Sequence, residues 1–339
     1  MSRTGKRGKA KLGRTSIEFK QVETYAFQEL FNIYIFAKEA EGLARRTLEN
    51  KKVYFLVFHR YLEEHHEDIT PNTLDTNTIR EFLYYLKNDH IKHKNNHCVK
   101  EEYKSVGASV SYINTILKHI RAFYNFLVEE EYVQANPFRK IKSLKEAQDN
   151  IEALSVEQLK TLLKQPNQRT YAGFRDYVLM MLLADTGMRI SEALNLQQED
   201  IDFKTNVLEL KGTNTKSRKA RYVPISQKTS RLLRELLVEI EEFDTLYIFA
   251  SVYGNTIDPA RFRQRLKMYG DNAGIKGVRI SPHTFRHTFA KYYLLNNGDV
   301  MTLQKILGHS SIEMVRKYVN MTSKDIVAQH SKHSPINNI

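Results

Sequence analysis

Apolar residues recur every three to four positions over most of the first 140 residues. That period predicts amphipathic helices rather than strands. Phe55, Phe58 and Leu62 share one face of a segment that opens at Arg45-Arg46-Thr47. Ile113, Ile116, Leu117, Ile120, Phe123, Tyr124 and Leu127 keep the same spacing in a longer stretch, and Lys118 and Arg121 lie off that stripe. Asn136-Pro137 closes the region with a turn signal. Residues 88–108 interrupt the period and read as a polar surface loop. Residues 143–153 form a polar linker, after which Ser155-x-x-Gln158 has the form of a capping box. The domain boundary is placed here.

The second half mixes two periods. Tyr177 to Ala184 is a continuous apolar run and predicts a buried helix, stopped by Thr186-Gly187. Val207–Leu210 and Arg221–Ile225 are short β-type runs joined by a polar, basic loop, which predicts a hairpin. A helix is expected near 259–272, carrying Arg261, Arg263, Arg265 and Lys267. Ser281-Pro282 supplies an N-cap followed by proline at the first helical position. Gly298 is expected to mark the end of that helix. Short helices are expected at 299–307 and 311–319, with Ser323 placed to cap a last one.

Composition narrows the class. At 339 residues the chain is long enough for about two domains, and 41% hydrophobic with 27% charged residues is a globular balance. The 14 Gly and 7 Pro suit helices better than a turn-rich β-sandwich. One cysteine, Cys98, excludes an internally disulfide-bonded scaffold. The longest apolar run is too short to span a bilayer, and no apolar segment follows the basic N-terminus, so a cytoplasmic protein without membrane contact is expected. Lys and Arg total 52 against 39 Asp and Glu, a formal charge of +13 that points to a polyanionic partner. Residues 1–20 hold Arg3, Lys6, Arg7, Lys9, Lys11, Arg14 and Lys20 against Glu18 alone. They read as a flexible arm, either solvated or laid along phosphates. His90, His93, His97 and Cys98 lie close together but lack the paired ligand spacing of zinc sites, so no metal is assigned.

The chain lacks H-E-x-x-H, G-x-S-x-G and G-x-G-x-x-G. Gly212-Thr-Asn-Thr-Lys216-Ser217 falls short of a phosphate-binding loop because Thr215 stands where glycine is needed. Four local groups remain: Thr186-Gly-Met-Arg189-Ile-Ser-Glu192; Lys216 in the hairpin loop; His283-Thr-Phe-Arg286-His287-Thr-Phe-Ala; and Leu307-Gly308-His309-Ser-Ser with Tyr318 nine residues on. Each alone is ordinary surface or ion-pair chemistry. In this order and spacing they resemble the catalytic domain of the tyrosine recombinases, the phage integrase and Xer family, across residues 155–335. The first half, with Ala122-Phe123-Tyr124-Asn125-Phe126-Leu127, is similar to the family's core-binding domain.

The resemblance implies a mainly α fold with a small antiparallel β-sheet. It divides the chain into an arm (1–20), a helical core-binding domain (21–142), a linker (143–153), a mixed α/β catalytic domain (154–322) and a C-terminal helix or free tail (323–339). It implies that Tyr318 is the nucleophile, Arg189 and Arg286 the phosphate clamp, His283 the base, His309 a donor to the phosphate, and Lys216 the general acid. Lys211 and Lys219 are the alternatives to Lys216. Elementary chemistry agrees. A phosphodiester gains charge on its non-bridging oxygens under attack, and the planar fork of arginine meets two oxygens at once. A phenol of pKa ~10 must lose its proton as it attacks, and histidine takes protons near neutrality. Glu192 is expected to orient its helix and Arg189. Arg45, Lys118, Arg121, Arg261, Arg263 and Arg265 are candidate DNA contacts, and no cofactor is implied.

The implied activity is site-specific recombination through a 3′-phosphotyrosyl intermediate and a Holliday junction. The partner is double-stranded DNA with inverted-repeat core sites, bound by a homotetramer that is monomeric when free, with or without accessory factors. The basic arm and the 88–108 segment favour integration and excision of a mobile element over a chromosomal Xer-type dimer resolvase. A relaxing enzyme of the type IB topoisomerase kind shares the chemistry but needs no partner site. A non-catalytic DNA-binding protein is the reading from another class, and it gives Tyr318 no role.

Overall fold

The stripes read from the sequence become the buried faces of helices. The computed structural model describes residues 26–66, 68–91, 104–146, 153–212, 219–309, 311, 315, 330 and 331. The basic arm, His93, His97, Cys98, Lys216, Tyr318 and Ser323 lie outside the described residues. The chain divides into two compact units, Met1–Gln148 and Asp149–Ile339.

Among the described residues, four α-helices build the first unit: α1 (Phe27–Ala40), α2 (Arg45–His65), α3 (Thr76–Asn88) and α4 (Val110–Glu129). Phe55, Phe58 and Leu62 of α2 are buried, as is the full α4 stripe from Ile113 to Leu127. The core is aromatic. Phe31 stacks on Phe55 at 3.7 Å between ring centres, and Phe123 meets both edge-on. Asp75 and Ser109 cap α3 and α4 by accepting from the backbone N–H of Thr78 and Tyr112. Asn136 caps a 3₁₀ turn, Pro137–Lys140, which drives Phe138 into the core. The 88–108 segment leaves and returns at a closed neck. Gly107 donates to His90 and Ala108 to Leu86, and Ile91 bridges to Val106.

The second unit is assembled around one apolar helix. Helices α5 (Val156–Leu163), α6 (Tyr171–Thr186) and α7 (Ile190–Leu194) precede a three-stranded antiparallel sheet. The expected box between Ser155 and Gln158 opens α5. Val178, Leu179, Met180, Leu182 and Leu183 are all buried, so α6 packs on every side. Strands β1 (Ile201–Asp202), β2 (Val207–Leu210) and β3 (Arg221–Pro224) run in that order, with Leu208 opposite Val223 and Leu210 opposite Arg221. The hairpin was expected; β1, only two residues long, carried no readable alternation. Helices α8 (Gln227–Glu239), α9 (Pro259–Asn272), α10 (Pro282–Leu295) and α11 (Val300–Leu307) follow, and α6 packs against α8 and α10.

One helix end differs from expectation. The left-handed residue after α10 is Asn297, at φ 64°, and not Gly298. Asparagine tolerates that region because its short polar side chain bonds locally. Gly298 is required for space instead, since a Cβ there would sit 2.2 Å from the ring of Tyr293.

Candidate active site

Three turns of the second unit deliver polar side chains to one place. The first follows α6. Gly187 ends that helix at φ 60°, with its N–H on the Leu183 carbonyl. A Cβ at Gly187 would lie 2.5 Å from the Phe289 ring, so the turn closes tightly on α10. Two residues later Arg189 precedes α7, and Glu192 accepts both its backbone N–H (2.9 Å) and its Nη1 (2.9 Å). Beyond that ion pair, the guanidinium of Arg189 donates no hydrogen bond to the described residues.

The second turn opens α10. Ser281 caps the helix and Pro282 starts it, as expected. Arg286 lies one turn in and is 3% exposed. Its Nη1 donates to the Gly187 carbonyl and its Nη2 to the Leu307 carbonyl, both at 2.8 Å. Those carbonyls close α6 and α11, where the helix dipole is negative and a cation is favoured. The third turn is Gly308-His309, with Gly308 left-handed at φ 64°. It places His309 Nε2 against Arg286 Nη2. Arginine can only donate, so Nε2 accepts and the single imidazole proton sits on Nδ1.

Sequence reasoning missed one member. Arg221, the first residue of β3, donates Nη1 and Nη2 to the two carboxylate oxygens of Glu192 at 3.1 and 2.6 Å. Its Nε donates to the Ile306 carbonyl at 2.9 Å. The signal available was slight: an arginine in a strand whose neighbour Val223 faces the core.

The field here is strongly positive. Burial alone would raise the pKa of Glu192, but Arg221 and Arg189 outweigh it and hold the carboxyl below its usual range. Partial desolvation, then Arg286, Arg189, Arg263 and Arg279, lowers the pKa of His283. Burial and the arginines push His309 down to about 4, and burial with His283 and Arg286 pushes His287 down to about 4. These imidazoles are neutral near pH 7. An arriving phosphodiester cancels part of the field and raises their proton affinity.

A stability effect follows. An unfolded histidine protonates near pH ~6.5, whereas His287 and His309 hold out to about 4 in the folded chain. Between those limits the unfolded chain binds more protons, so acid favours unfolding. Denaturant titrations at about pH 7 and about pH 5 should show stability falling by on the order of 1–3 kcal/mol. The fall should shrink clearly in H287Q/H309Q; an unchanged fall would refute this assignment.

The candidate DNA contacts fall into two groups. Arg45, Lys118, Arg261 and Arg263 are exposed. Among the described residues Arg45 bonds its helix neighbour Glu49, at 3.3 Å. Arg121 instead donates to the Ile141 carbonyl at 2.7 Å. Arg265 turns inward: it pairs with the fully buried Asp176 at 2.6 Å and donates to Tyr269 and to the Ala172 carbonyl. The pull of an otherwise undercompensated carboxylate explains this placement. Lys211 is tied to Glu199 and, at 3.3 Å, to Asp200. Among the described residues no group of three or more His, Cys, Asp or Glu is placed to hold a metal, and no helix is long and apolar enough to cross a membrane.

Residues 152–325 match the family model described as the phage integrase family. The tyrosine recombinase XerD of Lacticaseibacillus casei is 29% identical over 87% of this chain and 94% of its own. The tyrosine recombinase XerC of Oceanobacillus iheyensis is 32% identical over 64% of this chain and 72% of its own. Among solved structures, the integrase of transposon Tn1549 in complex with a circular intermediate DNA superposes with a TM-score of 0.69 at 17% identity, over 90% of this chain and 98% of that one. A lambda integrase dimer bound to a core site superposes with a TM-score of 0.68 at 15% identity, over 88% and 97%.

Proposed function

The chain belongs to the phage integrase family of tyrosine recombinases, enzymes that cleave and rejoin DNA, and we propose a role for each residue of the site on that premise. The Tyr318 oxygen attacks the scissile phosphorus and passes its proton to His283. The phosphorus–5′ oxygen bond breaks, and Lys216 protonates the departing oxygen. The protein is then joined to a 3′ phosphate beside a free 5′ hydroxyl. Attack by a partner strand's 5′ hydroxyl reverses these steps and conserves the bond energy. Arg189 and Arg286 neutralise the charge that builds on the non-bridging oxygens. His309 contributes a donor once a bound phosphate has raised its proton affinity.

One observation carries this reading: Arg189, Arg286 and His309, far apart in sequence, converge from three turns, with the neutral His283 beside them. Fixed cations with a proton acceptor suit in-line transfer at a phosphodiester.

The DNA is double-stranded and carries inverted-repeat core sites, and four protomers exchange strands through a Holliday junction. Integration and excision of a mobile element is the biological output we favour, on the strength of the basic arm and the 88–108 segment. The chromosomal Xer-type role is the second reading, favoured by the similarity to XerD and XerC.

The test is to express the protein in cells carrying the DNA that flanks its gene, recover SDS-resistant adducts and sequence the attached ends. Adducts through a 3′ phosphate at one recurring site are expected. Ends that map to the borders of an element containing the gene support the mobile-element role, and a single distant chromosomal site supports the Xer role. Scattered adducts would favour a relaxing enzyme. Tight DNA binding without adducts would overturn the catalytic reading.

A further inference from the structure

We propose that Arg221 is a positioning residue that keeps Arg189 available to the scissile phosphate by saturating Glu192. The proposal rests on the strand-transfer reading above, and the argument is one of acceptor capacity. A carboxylate offers about four lone-pair sites. Those of Glu192 receive the backbone N–H and Nη1 of Arg189, and Nη1 and Nη2 of Arg221. The carboxylate is therefore filled. Arg189 is held by one side-chain bond, which fixes its direction, and the rest of its fork stays out of that pair.

Without Arg221 the balance changes. Glu192 is 1% exposed and would face Arg189 with two vacant acceptor sites. An arginine and a carboxylate prefer two parallel bonds. Arg189 would close onto Glu192 and withdraw from the phosphate, at the same net charge it needs for catalysis.

The placement of Arg221 also fits a coupling role. Arg221 starts β3, where the 211–220 loop that carries Lys216 re-enters the sheet. Its Nε holds the Ile306 carbonyl, three residues before His309. A Cβ on Gly308 would lie 3.0 Å from its Cζ, so the turn that presents His309 is packed on the guanidinium. One planar group thus ties the hairpin, α7 and the end of α11. Lysine cannot reproduce this, because an ammonium lacks the fixed fork that meets three acceptors in one plane.

The experiment measures single-turnover cleavage at saturating DNA, using the site recovered from the adduct mapping, for wild type, R221K, R221M, E192Q and R221M/E192Q. DNA affinity and melting temperature are read alongside. R221M is expected to cleave about tenfold to a hundredfold more slowly with DNA affinity within about threefold, the pattern of a misplaced group rather than a lost binding contact. R221K should fall between wild type and R221M, and it serves as the probe if R221M does not fold. Because Arg221 acts through Glu192, the double variant should be no slower than the slower single variant. Wild-type cleavage by R221M, or losses that multiply in the double variant, would overturn the proposal. A wild type that forms no adduct would instead overturn the catalytic reading, and this inference with it.

Discussion

Replacing Tyr318 by Phe is expected to remove every covalent adduct while leaving DNA affinity within about twofold. The change deletes one oxygen, the atom proposed to bond to phosphorus, and leaves the ring. Loss of a covalent nucleophile costs on the order of 10⁴-fold or more, so residual adducts should fall below detection. Three of the buried tyrosines are poor substitutes. Burial pushes the phenol of Tyr34 up to about 12, and raises those of Tyr124 and Tyr269 as well. A phenol with raised pKa surrenders its proton less readily than an ordinary one. The check is a nicked substrate whose cleaved end diffuses away and traps the adduct, run beside a gel-shift titration. Adducts that persist in Y318F would place the nucleophile elsewhere and would sink the assignment.

What could be read from the sequence follows a physical line. Elements with long stripes were legible, because burial of one face dictates both period and identity: α4 and its buried run from Ile113 to Leu127 are the plainest case. Caps were legible because few residues can do the work, as Ser155, Ser281 and Gly187 illustrate. The two-residue β1 was not, since so short a strand shows no alternation. The fate of cations was also hidden. Arg263 and Arg265 lie two apart on α9, yet one is exposed and the other is drawn to Asp176 from a different helix. Arg221 escaped for the same reason: its role depends on Glu192, 29 residues earlier in the chain, and on the Ile306 carbonyl, 85 residues later. Local spacing encodes neither. The set Arg189, His283, Arg286 and His309 was singled out by its resemblance to the family's motifs, because each local group taken alone is ordinary ion-pair or surface chemistry.

Arg286 should be the variant in which chemistry and folding part company. Its guanidinium bridges the Gly187 and Leu307 carbonyls, so it fastens the ends of α6 and α11, and it is also the group proposed to clamp the scissile phosphate. R286A removes donors from two buried carbonyls, each worth about 1–3 kcal/mol when left unsatisfied. A clear fall in melting temperature is expected together with loss of cleavage. R286K keeps the charge but offers no planar fork, so it cannot meet two acceptors on separate turns and hold His309 as well. Cleavage by R286K should drop about 10²–10³-fold, the usual loss when one fixed donor to a developing oxyanion is removed. Its DNA affinity should change only a few-fold, because one phosphate contact among many is lost. Melting of R286K should fall less than that of R286A, since an ammonium can still reach one carbonyl. A near-wild-type cleavage rate in R286K would mean that charge alone suffices and that the bridging geometry is incidental. An R286A protein as stable as wild type would mean that the two carbonyls find other donors, and that the fold does not rely on the group the chemistry uses.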